Sequence, residues 1–178
     1  MAFDGVYFTL LMRNLVFLSI LGLSAACTSP REAPTRAEQQ VVEWSAIAGE
    51  LRPGPDSGFV VDVEIQAAIV DGWHIYSLTQ ATGGLTPMTV KVAPSPPYSL
   101  AGPVTGPQAV KARDPNFNIE TETYSGEAIF RVPVKLMSAS TISVPPLEIR
   151  VRSQACSDRL CLPARTTTLT LQPKQGKA

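Results

Sequence analysis

Two cysteines, Cys156 and Cys161, stand in the stretch Gln154-Ala-Cys-Ser-Asp-Arg-Leu-Cys-Leu-Pro163, with four residues between them and strand-like sequence on both sides. A hairpin tip of that length brings two Cα atoms to the roughly 4.4–6.8 Å that a disulfide requires. Such a pair supports two chemistries. As a redox centre, one thiolate attacks a partner disulfide, a mixed disulfide forms, and the second thiol releases it. As a staple, the pair closes a short loop, which contributes only about 2 kcal/mol by chain entropy. Arg159 between the cysteines and Arg165 after them favour thiolate character, and Asp158 opposes it.

The remaining candidate groups are few. His74 is the only histidine. In an alternating strand Trp73 and Ile75 share one face, while His74 and Tyr76 share the other. Trp73 reads as core. His74 reads either as a proton acceptor near the cysteines or as a surface or hydrogen-bonded structural histidine. A cysteine hydrolase pairing Cys161 with His74 would need a nucleophile signature and a triad, and the sequence shows neither. One histidine and two available cysteines fall short of the four ligands of a structural zinc site. Met88 and Met137 are too distant in sequence to suggest copper. No metal is expected, and no cofactor, because the cysteine pair itself holds two electrons. Lys and Arg total 15 against 15 Asp and Glu, with no basic stripe, which argues against nucleic acid.

The elements that must position these residues read as strands. Phe59, Val61, Val63, Ile65, Ala67 and Ile69 alternate with a mainly polar face, and Asp71-Gly72 then punctuates the chain before Trp73-His-Ile-Tyr76. Further candidates are Met88-Val90-Val92, Ala128 to Leu136, Leu147-Ile149-Val151 and Thr167-Leu169-Leu171, with Pro and Gly clustered between them. Gln39 to Ile47 allows a brief helical turn, and nothing else carries a 3.6-residue period. Short alternating strands with turn signals between them predict an all-β, β-sandwich domain.

The third cysteine, Cys27, belongs to an export signal. Leu10 to Leu23 is mostly apolar but short for a membrane span, and it runs into Ser24-Ala-Ala-Cys27. A cysteine after small residues resembles the bacterial lipoprotein signal, in which it is lipidated and becomes the first mature residue. Asp4 and the lack of a basic residue ahead of the apolar run point to Met12, followed by Arg13, as the true start. Residues 1–26 are thus expected as signal peptide, and 27–40 as lipidated cysteine and flexible polar tether. Residues 41–173 form the domain and 174–178 a tail. Export places the domain where disulfides persist. Thr28 after the cysteine favours the outer membrane over the inner.

Several motifs then coincide in order: Gly72-Trp-His-Ile-Tyr-Ser77, Glu120-Thr-Glu-Thr-Tyr-Ser-Gly126 before Phe130-Arg-Val-Pro-Val134, and Cys156-x4-Cys161-Leu-Pro163 before a Thr-rich last strand. Over residues 41–173 this set resembles the N-terminal periplasmic domains of the thiol:disulfide interchange protein DsbD. The resemblance implies an immunoglobulin-like β-sandwich with a redox-active pair. It also implies electrons supplied by a membrane electron-transfer protein and passed to thioredoxin-like redox proteins and disulfide isomerases. By family likeness Cys161 exchanges with partners and Cys156 resolves. By position in the family, the resemblance implies Tyr124 as the aromatic that covers the disulfide and Glu122 as the acidic residue beside it. The best-known members carry one more residue between their cysteines. With no membrane-spanning or thioredoxin-like part in this sequence, the domain is expected to work with separate proteins, held by a lipid anchor. The competing reading is a non-catalytic β-sandwich binding module whose disulfide is structural.

Overall fold

The computed structural model describes residues 40–54, 58–80, 85–93, 97–137 and 144–175. The expected signal peptide, Cys27, the tether up to residue 39 and the last three residues lie outside them. The described chain is built from strands, with no helix among the described residues.

The central strand pair is β3 (Phe59–Ile69) against β9 (Glu127–Leu136), antiparallel from Phe59 opposite Leu136 to Ala68 opposite Glu127. Alternation decides which face is buried. Val61, Val63, Ile65, Ala67 and Ile69 turn inward, as do Ala128, Phe130, Val132, Val134 and Leu136 across from them. Burial of each large apolar side chain contributes about 1.5–3 kcal/mol. A second sheet, β12 (Arg165–Leu171), β10 (Leu147–Ser153) and β5 (Thr89–Val92), closes the same core with Leu147, Ile149, Val151, Met88 and Val90. This is the immunoglobulin-like β-sandwich that the sequence leads one to expect.

Two differences from the sequence reading are informative. From Gln40 on, where the described residues begin, the expected helical turn is a strand: β1 (Val42–Ala48) pairs antiparallel with β3, Val42 opposite Ile69 and Ala48 opposite Val63. Val42, Trp44, Ala46 and Ala48 pack against the core, a period of two that the small alanines disguise. The tail also begins as structure. β13 (Lys174–Gln175) runs parallel to β2 (Glu50–Pro53), which itself continues the β3 edge. β6 (Tyr98–Leu100) pairs on the far side of β9.

The third sheet carries the cysteines. Its order is β11 (Ala155–Cys156), β4 (His74–Tyr76), β8 (Glu120–Tyr124) and β7 (Val110–Arg113). β4 enters through a tight turn in which Trp73 N–H bonds Val70 carbonyl at 3.0 Å. Gly72, third in the turn, has φ 78°, as a type II turn requires.

Candidate functional site

The cysteine hairpin is an extension of the β10–β12 pair. Ser153 faces Arg165, and further out Cys156 faces Cys161, three residues forward on one arm and four back on the other. The extra residue on the returning arm, at Pro163-Ala164, is a bulge. It turns the register so that the two cysteines meet head on. Leu162 N–H bonds Ala155 carbonyl at 2.9 Å and Ser157 N–H bonds Leu160 carbonyl at 2.8 Å. Cys156 and Cys161 therefore form a non-hydrogen-bonded pair, the position at which facing Cα atoms come closest. Their Cα atoms are 4.0 Å apart and the sulfurs are joined as a disulfide. Gln154 Nε2 ties the returning arm by donating to Leu162 carbonyl at 3.1 Å.

The two sulfurs live in different surroundings. Cys156 is fully buried, while Cys161 is partly exposed. Behind Cys156 lies Tyr76, also fully buried, whose hydroxyl is 3.3 Å from Cys156 Sγ and 3.9 Å from Cys161 Sγ. That hydroxyl donates to Asp114 Oδ2 at 2.7 Å. Burial, followed by the hydrogen bond and negative charge of Asp114, pushes the Tyr76 phenol well above the ordinary tyrosine range, so it remains a proton donor.

Asp114 opens the β7–β8 loop and organises it. Its Oδ1 accepts the N–H groups of Asn116 at 2.8 Å and Phe117 at 3.2 Å. Asn118, at φ 58°, then returns its N–H to Asp114 carbonyl at 2.7 Å. Burial alone would raise the Asp114 carboxyl. The hydrogen bonds from Tyr76, Asn116 and Phe117 and the nearby His74 outweigh it, and the carboxyl sits below its usual range. The loop also touches the cysteine hairpin, since Asn116 Nδ2 donates to Ser157 carbonyl at 2.8 Å.

His74 lies directly across from Cys156 in the β11–β4 pairing. Its Nε2 is 3.7 Å from Asp114 Oδ2, and its ring stands edge-on to Tyr76 at 5.7 Å. The structure thus puts His74 near the cysteines and on the same face as Tyr76. Trp73 packs against the core.

The structure does not bring the expected covering residues to the disulfide. Tyr124 is turned into the core, edge-on to Phe130 with ring centroids 5.1 Å apart. Glu122, two residues earlier in β8, is held at the surface end of that strand's face by its own partners. It accepts from Thr79 Oγ1 at 2.9 Å and Ser77 Oγ at 3.3 Å and pairs with Lys111 at 3.1 Å, contacts that hold its carboxyl below the usual range. The segment that contacts the hairpin is the β7–β8 loop, and its aromatic is Phe117, 46% exposed. The sequence signal for that loop is Asp114-Pro-Asn-Phe-Asn118, a turn-forming cluster around one aromatic.

An immunoglobulin-like sandwich that holds an intramolecular cysteine pair at a hairpin tip, one cysteine fully buried and the other partly exposed, defines a class of β-domains built around a disulfide. Residues 43–173 match the family described as thiol:disulfide interchange protein DsbD, N-terminal, and the chain belongs to that family. No curated protein matches it. Among solved structures it is similar to the N-terminal periplasmic domain of ScsB from Proteus mirabilis, with TM-score 0.54 and 16% identity over 76% of this chain. It spans 49% of that ScsB chain, about half its length. The Neisseria meningitidis DsbD N-terminal domain in the reduced form follows at TM-score 0.47 and 18% identity, over 76% of this chain and 86% of that one. The complex of the DsbD and PilB N-terminal domains from the same organism gives 0.42 and 18%, over 79% and 88%.

Proposed function

We propose that this chain is a periplasmic thiol–disulfide exchange protein in which Cys161 exchanges with partners and Cys156 resolves. The observation that carries the reading is the asymmetry of the pair. Cys161 is the more exposed of the two and the one an incoming thiolate would meet, while Cys156 is buried against the hydroxyl of Tyr76. Attack at Cys161 expels Cys156 as a thiolate into a site with a hydrogen-bond donor already in place. The reverse reaction, in which reduced Cys161 attacks a partner disulfide, ends with Cys156 displacing the partner.

Family membership supports electrons arriving from a membrane reductase and leaving to thioredoxin-like proteins or disulfide isomerases. The signal-like N-terminus supports export and lipidation at Cys27, with residues 28–40 as a tether and the outer membrane as its site. Separation of the two membranes tests the last point, and recovery in the inner membrane alone refutes it.

The decisive experiment is the redox equilibrium of the purified protein against graded glutathione or dithiothreitol, read by thiol alkylation and mass. A midpoint between about −180 and −270 mV, the range of exchange proteins, supports the carrier. A midpoint well below about −300 mV marks a structural disulfide, and the domain is then a binding module.

A further inference from the structure

The hydroxyl of Tyr76 serves two acceptors, Asp114 Oδ2 at 2.7 Å and Cys156 Sγ at 3.3 Å. A phenol has one proton and gives it to one of them at a time. In the oxidised protein the carboxylate is the stronger acceptor. When the disulfide opens, Cys156 leaves as a buried thiolate and competes for that proton. Asp114, itself buried, then loses a donor at Oδ2, which is costly for an ionised group.

His74 is the group placed to replace it. Its Nε2 is buried, has no hydrogen-bond partner among the described residues, and stands 3.7 Å from Asp114 Oδ2. Three elements present titratable groups to this imidazole: Cys156 from β11, Tyr76 from its own strand, and Asp114 from the β7–β8 loop. On the other side of β4, strand β8 turns its own away, Glu122 to Lys111 and Tyr124 to Phe130.

We propose that His74 is the second donor of this relay: when Tyr76 turns its proton to the Cys156 thiolate, protonated His74 takes over Asp114, so that opening the disulfide is coupled to proton uptake at His74. This rests on the reading of Cys156 and Cys161 as a working pair. A partner dithiol supplies two electrons and two protons. Its first thiolate bonds to Cys161 Sγ as the Cys156–Cys161 bond breaks and the electron pair passes to Cys156. Its second thiolate then attacks the partner sulfur of the mixed disulfide, leaving the partner oxidised and Cys161 as a thiolate. One proton reaches Cys161 through solvent. The other is held as the His74 imidazolium, with Asp114 and Tyr76 between it and the Cys156 thiolate.

Because His74 is the only histidine, its imidazole resonances need no assignment. The test is their pH titration by NMR in the oxidised protein and in the protein reduced with dithiothreitol. The curve is expected to move to higher pH on reduction, by about half a pH unit or more, the effect of a newly formed neighbouring negative charge. Identical curves overturn the proposal. Excess dithiothreitol opens the disulfide even if glutathione does not, so this failure is distinct from failure of the exchange reading. His74→Gln supplies a second arm, keeping a donor that does not titrate. By linkage, the equilibrium of the unaltered protein with dithiothreitol should change by roughly threefold more across the His74 titration than that of the variant. Parallel profiles overturn the proposal, since a histidine that only packs moves neither readout.

Discussion

The hydroxyl of Tyr76 lies 3.3 Å from Cys156 Sγ, although eighty residues separate the two in sequence. The contact exists because β4 pairs with β11, placing the strand Trp73 leads into beside the first arm of the cysteine hairpin. It gives the sealed sulfur a polar partner in a setting otherwise closed to water, and it ties the redox pair to Asp114 and the β7–β8 loop.

Tyr76→Phe keeps the ring and removes that donor. Hydrogen bonds to charged groups are worth about 1.5–3 kcal/mol, so the Cys156 thiolate becomes a poorer leaving group. Reduction by dithiothreitol should slow by roughly tenfold or more. Stopped alkylation at timed intervals measures it; an unchanged rate would show that the hydroxyl is only a core contact.

In the reduced protein the two cysteines should react unequally. Cys156 is held as the thiolate but is fully buried, and Cys161 is partly exposed, so access decides and limiting iodoacetamide should label Cys161 first, by about tenfold. Peptide mapping reads the ratio, and preferential labelling of Cys156 would reverse the assigned roles.

Asp114 makes stability depend on acid. Its carboxyl is lowered in the folded state, so its stabilising contribution is complete above the unfolded value of about 3.9. That contribution disappears as pH falls through the lower folded value. Urea denaturation of the protein and of Asp114→Asn should therefore show a wide gap at pH 7 that narrows as acid below the unfolded value protonates the carboxylate. A gap that stays constant, or widens in acid, contradicts the placement of the charge.

The loop over the hairpin can be separated from the strand that follows it. Asn116→Ala removes the donor to Ser157 carbonyl and should speed reduction by glutathione by roughly threefold to tenfold, the worth of one hydrogen bond. Tyr124→Phe keeps the edge-on packing with Phe130 and should leave that rate unchanged. The opposite pattern would restore Tyr124 as the covering residue.

Much of this architecture was legible from period-two patterning alone. The strand Phe59–Ile69 and its partner through Leu136 follow directly from alternation, because a half-buried strand must segregate its side chains. The cysteine pair was legible too, from four intervening residues between strand-like arms. Val42–Ala48 was not, since its small alanines blur the alternation and only pairing with β3 shows which face is inward.

What the sequence determined by itself was the list of chemical parts: a closely spaced cysteine pair, one histidine, and strands to carry them. Tertiary structure decided their arrangement. The register of Cys156 against Cys161 depends on one extra residue at Pro163-Ala164, invisible until Ser153 is seen opposite Arg165. The β7–β8 loop is tied to the cysteine hairpin through Asn116 and Ser157, a contact that no local motif announces. The meeting of Tyr76, Asp114, His74 and Cys156 joins residues from three separate stretches of chain. Local patterning carries no information about such contacts, because strand pairing across the fold, and not propensity, brings them within hydrogen-bonding distance.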